Sequence, residues 1–87
     1  MNQHQLSIEA QSRPEILERI LRVVRHRGFR ICAMNMSQAH DGLQVSIAMT
    51  VTSLRPVDLL TTQLTKLMDV TSVRVTQQTT QQIHAEA

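Results

Sequence analysis

Apolar and polar residues alternate along "QLSIEA", with Leu6, Ile8 and Ala10 of one parity and Gln5, Ser7 and Glu9 of the other. That period of two predicts a half-buried strand over about residues 4–10. In "SRPE", Ser12 and Glu15 stand at capping-box spacing, and Pro14 occupies a position where a first helical turn tolerates a missing N–H, so a helix is expected to open there. Along "EILERILRVVRHR", Ile16, Leu17, Ile20, Leu21, Val23 and Val24 form one stripe. Glu18, Arg19, Arg22, Arg25 and His26 face the other way. Gly28 is the expected terminator, because glycine takes the left-handed conformation past a helix end without steric cost. "FRICAMNMS" reads as a second strand whose parity changes between Phe29 and Ile31 on one side and Met34 and Met36 on the other, which predicts a bulge near Cys32 or Ala33. "HDG" at 40–42 marks a turn, and the clean alternation of "LQVSIAMTV" completes a hairpin. Pro56 opens a second helix with Val57, Leu60, Leu64, Leu67 and Met68 at helical spacing. "VTSVRV" supplies a last strand with Val73 and Val75 inward.

The order β-α-β-β-α-β predicts an α+β fold of the ferredoxin-like kind, two split βαβ units in one antiparallel sheet of four strands. Right-handed crossovers put both helices on one face. The other face then presents Ser7, Glu9, Gln44, Ser46, Ala48 and Thr50, short groups that tolerate water. A single domain is expected over residues 1–77, and the polar segment 78–87, low in complexity, is expected as a disordered tail.

Composition narrows what such a domain does. At 87 residues there is room for one small core and none for a two-domain enzyme, and chains of this size often rely on association. The core must be aliphatic, since Phe29 is the only aromatic among Phe, Trp and Tyr. Cys32 is the only cysteine; it forms no internal disulfide and reads as a small core residue rather than a nucleophile. No apolar run approaches the roughly 20 residues of a membrane span and no secretory leader is visible, which points to a cytoplasmic location away from membranes.

Net charge is only +2, yet six of the nine Lys and Arg lie between Arg13 and Arg30. A nucleic-acid module on this plan needs aromatic rings on the open sheet face for base stacking, and that face has none, so the arginines alone offer salt-sensitive phosphate attraction. A small basic nucleic-acid-binding module is therefore the alternative reading, and no nucleic acid is expected as partner. A metal carrier would need two thiols in the first strand–helix loop, where "AQSRP" has none. A phosphatase would cradle an anion there, but the loop lacks glycine and Pro14 removes a donor. His4, His26, His40 and His84 are scattered, lack metal-ligand spacing and read as solvated groups. No serine, histidine and acid form a catalytic arrangement. The expectation is a chain without catalytic, cofactor or metal residues.

"RPEILERILRVVRHRGFRICAMNM" resembles the segment from helix one to strand two in the small regulatory subunits of acetolactate synthase (acetohydroxyacid synthase), which are ACT domains of this same plan. Leu17, Arg19, Arg27, Gly28, Phe29, Ile31 and Met34 carry the most specific part of the likeness. It extends more loosely through "VDLLTTQLTKLMDVTSV" and is strongest to short members in which the ACT domain is nearly the whole subunit. The resemblance implies a non-catalytic chain of branched-chain amino acid biosynthesis. Its partner would be a large catalytic subunit that uses thiamine diphosphate, Mg and FAD, and its ACT domains would pair as a homodimer. Arg22, Arg25, Arg30, Cys32 and Met34 would then lie at the dimer or partner interface. The resemblance implies that valine-sensing members bind their effector at this dimer boundary, between the first strand–helix loop and the start of strand two, where their pattern resembles "N.SG" in the loop and "GYNI" at the strand. Here Ser12, Arg13 and Glu15 stand in that loop and Arg30 and Ile31 at the strand, so this pocket equivalent is expected not to bind valine. The cationic turn Arg25–Arg27 has a plainer role too, since each charge complements the carbonyl end of the helix by about 0.3–1 kcal/mol.

Overall fold

A computed structural model describes residues 2–80, with side chains described through residue 76. The elements follow the expected order: β1 (Asn2–Gln11), α1 (Ile16–His26), β2 (Arg30–Gln38), β3 (Gln44–Ser53), α2 (Val57–Thr65) and β4 (Val70–Thr80). They form one antiparallel sheet with strand order β2-β3-β1-β4. β1 and β3 are the inner strands, paired without a break from Asn2↔Ser53 to Gln11↔Gln44. Their inward residues, Leu6, Ile8 and Ala10 with Val45, Ile47, Met49 and Val51, are buried. Ile16, Ile20 and Val24 of α1 and Val57, Leu60 and Leu64 of α2 close over them in a single aliphatic cluster. Each of the larger side chains contributes about 1.5–3 kcal/mol by leaving water.

α1 ends as expected. The Phe29 N–H donates to Val24 O at 3.1 Å and the Gly28 N–H to Arg25 O at 3.0 Å, with Gly28 at φ +86°, which is a Schellman motif. Phe29, just past the glycine, is buried beside Val24 and caps the core at this end. The start of α1 differs from expectation. No capping box forms, and the helix begins at Ile16 with Glu15 at the N-cap and no side-chain cap. The Ser12 N–H donates to Leu43 O at 2.9 Å, which holds Ser12 in line with β1, and its hydroxyl accepts from Gln38 Nε2 at 3.2 Å instead.

All three register shifts fall at residues able to hydrogen-bond sideways. The bulge in β2 skips Cys32, as its parity change predicted. In β4 the shifts skip Thr71 and Thr76, whose hydroxyls donate to the carbonyls of Glu9 (2.9 Å) and Gln5 (3.1 Å) on β1. Each threonine thus satisfies a strand carbonyl that the slipped ladder leaves open.

Other expectations are corrected. Cys32 is exposed rather than a core residue, because the bulge lies on an edge strand; its Sγ sits 3.7 Å from Thr52 Oγ1. Met68 is 89% exposed, because α2 stops at Thr65 and the helical spacing no longer applies to it. Val75 is exposed beside the Thr76 irregularity, whereas Val73 packs against the core. β4 runs on to Thr80, three residues into the segment expected as tail, because it pairs with the first residues of β1. Residues 81–87, including His84, lie outside the described residues.

His4 is the sharpest correction among the histidines. His26 and His40 are exposed, but β1 starts early enough to give His4 the parity of Leu6 and Ile8, and it is 1% exposed. Its ring lies 6.5 Å from that of Phe29, tilted by 56°. Neither ring nitrogen has a hydrogen-bond partner among the described residues. Burial pushes the His4 pKa below its usual value, because the charged ring is poorly solvated there. The unfolded chain thus binds the proton more readily than the folded one. Stability is at its full value above the unfolded pKa of about 6.5 and falls as pH drops through the window below it, by at most about 1.4 kcal/mol per pH unit for one proton. Urea titrations between about pH 5 and 7.5 are expected to show this slope in the native chain and its loss in His4→Leu. An equal slope in both would assign it elsewhere.

Candidate functional site

The two halves of the expected effector pocket lie at opposite ends of the sheet. Ser12, Arg13 and Glu15 follow β1, at the end where β2 finishes with Gln38. Arg30 and Ile31 open β2 and pair with Thr52 and Val51. Arg30 and Gln38 are eight residue steps apart along β2, roughly 26 Å at about 3.3 Å per residue. Within one chain these residues do not meet.

The loop half is internally satisfied. Arg13 donates to Gln11 Oε1 at 3.0 Å and to Asp69 Oδ1 at 3.4 Å, Arg19 reaches Asp69 Oδ2 at 3.9 Å, and Glu15 pairs with Arg19 at 3.4 Å. Asp69 is buried, and its own carbonyl accepts from the Gln11 N–H at 2.8 Å, so the α2–β4 turn anchors the first loop. Beside it runs a groove of about 370 Å³ lined by Ser12, Arg13, Pro14, Leu17, Met36 and Gln38, among others. Pattern reading missed Asp69 and Gln38 because a single acid in a turn and a glutamine at a strand end carry no periodic signal.

The interface candidates share one side of the molecule. Met34 and Met36 pair in register with Met49 and Ile47, so they point to the helix face. There, unlike their partners, they stay 41% and 46% exposed, because β2 is an outer strand that α1 does not roof over. Leu17 and Leu21 of α1 are half-buried. A strip of uncovered apolar groups therefore runs beside an unpaired strand edge. Arg22 and Arg25 are exposed on α1 above it, and Arg30 and Cys32 on β2 below it. Charge is segregated along α1, with Glu15 and Glu18 towards its start and Arg22, Arg25, His26 and Arg27 towards its end.

The chemistry available elsewhere is sparse. Among the described residues no group of three or more His, Cys, Asp or Glu is placed to hold a metal, and no helix is long and apolar enough to cross a membrane. The open sheet face presents Gln5, Ser7, Ala33, Asn35, Ala48 and Thr50 around a shallow depression. Phe29, the ring that base stacking would require, is 3% exposed on the opposite side.

Comparison with known proteins agrees with this architecture. A protein-family profile described as an ACT domain matches residues 12–73. The chain is 55% identical over 87 residues to the acetolactate synthase isozyme 2 small subunit of Escherichia coli (strain K12), spanning 98% of this chain and 100% of that protein. Among solved structures, the ACT domain from the GTP pyrophosphokinase of Chlorobium tepidum superposes with a TM-score of 0.71 at 16% identity, covering 84% of this chain and 95% of that one. The acetolactate synthase small subunit from Thermotoga maritima gives 0.69 at 20% identity, covering 84% of this chain and 46% of that one. At such identities these two likenesses bear on the fold alone. The match along the whole length of the E. coli protein goes further: the chain belongs to the ACT-domain small subunits of acetolactate synthase.

Proposed function

We propose that this chain is the non-catalytic, activating subunit of an acetolactate synthase, and that it works by binding the competent conformation of a large catalytic subunit better than the idle one. The observation that carries the reading is the full-length match to a small subunit of that enzyme. Thiamine diphosphate, Mg and FAD belong, on this reading, to the large subunit, where two 2-oxo acids are joined in branched-chain amino acid biosynthesis in the cytoplasm. A subunit that only binds can shift its partner's equilibrium by no more than its differential affinity for the two states, about 1.4 kcal/mol for each tenfold of activation. Titrating purified large subunit with this chain is expected to raise acetolactate formation to a plateau, while the chain alone forms none. A flat titration would refute the assignment.

A homodimer fits the uncovered side of the molecule. Antiparallel pairing of two β2 edges, with two α1 helices side by side, would cover Leu17, Leu21, Met34 and Met36 and satisfy an edge that is otherwise an aggregation hazard. The segregated charge of α1 suits that arrangement, because Glu15 and Glu18 of one helix then face Arg22 and Arg25 of the other, while Arg27 is turned towards Gln63 of α2. Sedimentation equilibrium is expected to give a dimer at micromolar concentration and a shift towards monomer in Leu21→Glu. A monomeric native chain at high micromolar concentration would count against the arrangement.

In such a dimer the Ser12–Arg13 loop of one copy approaches Arg30 and Ile31 of the other, which reunites the two halves of the effector pocket. Its chemistry opposes an amino acid. A carboxylate needs free backbone N–H groups, yet Ser12 N–H is engaged with Leu43 O and the loop carries the Glu15 carboxylate instead of a glycine. The ammonium needs neutral acceptors, and Arg30 offers a cation. Losing two charge-assisted hydrogen bonds at about 1.5–3 kcal/mol each weakens binding by about a hundredfold or more. Calorimetry of the free chain is expected to detect no submillimolar valine binding, and valine is expected to leave the reconstituted enzyme uninhibited. Submillimolar inhibition abolished by Arg30→Ala or Glu15→Ala would reverse this conclusion.

A further inference from the structure

At the end of the molecule where α1 finishes, the α1–β2 turn and the β3–α2 loop are joined into one surface. Ser53 Oγ donates to Gly28 O at 3.1 Å and accepts from the Arg55 N–H at 2.9 Å. The Arg55 side chain lies across Gly28, so that a Cβ added there would stand 3.1 Å from its Nε and 3.3 Å from its Cδ. With the Schellman motif holding Gly28 itself, both loops are fixed before any partner arrives. This is the preorganisation that limits the cost of binding.

The surface is cationic and unneutralised. The ion pairs among the described residues belong to Arg13 and Arg19 alone, at the other end of the fold. Arg27 donates to Gln63 Oε1 at 3.0 Å, a contact that orients the guanidinium without offsetting its charge. Arg55 has no carboxylate within ion-pair distance among the described residues, and Asp58, three positions further on, does not pair with it. Next to Arg55 in the chain Leu54 stands 82% exposed, and Leu59 follows half-exposed on the first turn of α2. Arginine is enriched at interfaces, and an exposed leucine beside it adds the apolar surface that a docking contact can cover. The β3–α2 loop also leads away from the β2 edge, because α2 packs against β4 on the far side of the sheet. A second copy seated on β2 leaves it free.

We propose that this pole is the surface by which the chain docks onto an acidic face of its catalytic partner, with Leu54 as apolar anchor and Arg27 and Arg55 as cationic frame. The inference rests on the partner reading above and adds where the contact is made. Charge complementarity selects an acidic protein face, and Leu54 calls for an apolar pocket within it. A nucleic acid would meet the arginines but would find no ring to stack on.

The test uses the reconstituted enzyme: activation of the large subunit is titrated with the native chain, Arg55→Gln, Arg27→Glu/Arg55→Glu and Leu54→Ser, with Arg74→Glu on the open sheet face as control. Circular dichroism and sedimentation verify that each variant keeps its fold and association state. The expected result is a rise of about tenfold or more in the half-saturating concentration for the double variant, smaller rises for the single ones, and an unchanged plateau. Arg74→Glu is expected to match the native chain. Raising salt from about 50 to 300 mM should weaken the native association more steeply than that of the double variant. Folded variants that match the native titration overturn the docking surface and leave the partner reading intact. Native chain that fails to activate at all overturns the partner reading and the docking surface with it. Native chain that retains duplex DNA at about 150 mM salt, through arginines whose loss leaves activation unchanged, overturns the proposal in favour of a polynucleotide.

Discussion

Burial of one face of β1 and β3 beneath α1 and α2 is the constraint on which the rest of this molecule depends. The two inner strands meet in uninterrupted register and contribute seven aliphatic side chains to the core. With no tryptophan or tyrosine to fill volume, that core is built from Leu, Ile, Val and Met, closed at one end by the single Phe29. The outer strands pair with this centre on terms it sets. β4 follows β1 only by skipping Thr71 and Thr76, and β2 follows β3 only by skipping Cys32. What the helices do not cover on β2 becomes the apolar strip available to another chain.

The two ends of the fold differ in how they treat charge. At the start of α1, Asp69 gathers Arg13 and Arg19, and Glu15 shares Arg19, so the first loop is tied to the α2–β4 turn and its polar groups are occupied. At the finish of α1, Arg27 and Arg55 have no carboxylate within ion-pair distance among the described residues. A charge already paired within the fold contributes little to recognition, whereas an unpaired guanidinium on a fixed backbone is ready to complement a partner. A chain with no catalytic cluster among its described residues can still act on an enzyme through such surfaces.

Much of the fold was legible from spacing alone. The alternation of Leu6, Ile8 and Ala10, the stripe from Ile16 to Val24, the stop at Gly28 and the parity change at Cys32 each report a local backbone geometry, and each was found where spacing placed it. Failures came where a residue's fate depended on a distant segment. Ser12 had the spacing of a capping residue, but a hydrogen bond from its N–H to Leu43 held it on the strand. Cys32 looked apolar enough for the core, yet it sits on an outer strand. His4 looked like a surface group, yet β4 and the turn carrying Phe29 close around the first residues of β1. Of the candidate site, the residues and a boundary between two copies came from the family resemblance, not from any local pattern. The structure puts Ser12 and Arg13 at one end of α1 and Arg30 and Ile31 at the other, so that within one chain they stay apart.

By itself, then, the sequence determined the element order, the inward face of each inner strand, the aliphatic core and the clustering of arginines along α1, because periodicity and turn chemistry act over a few residues. Tertiary structure alone decided which strand lies at the edge, which arginines Asp69 neutralises, and that Ser53 and Arg55 lock the far loop against Gly28. The physical reason is that exposure and ion pairing are properties of neighbours in space. In this fold those neighbours stand 25 positions apart for Ser53 and Gly28 and 56 apart for Arg13 and Asp69, beyond the reach of any local pattern.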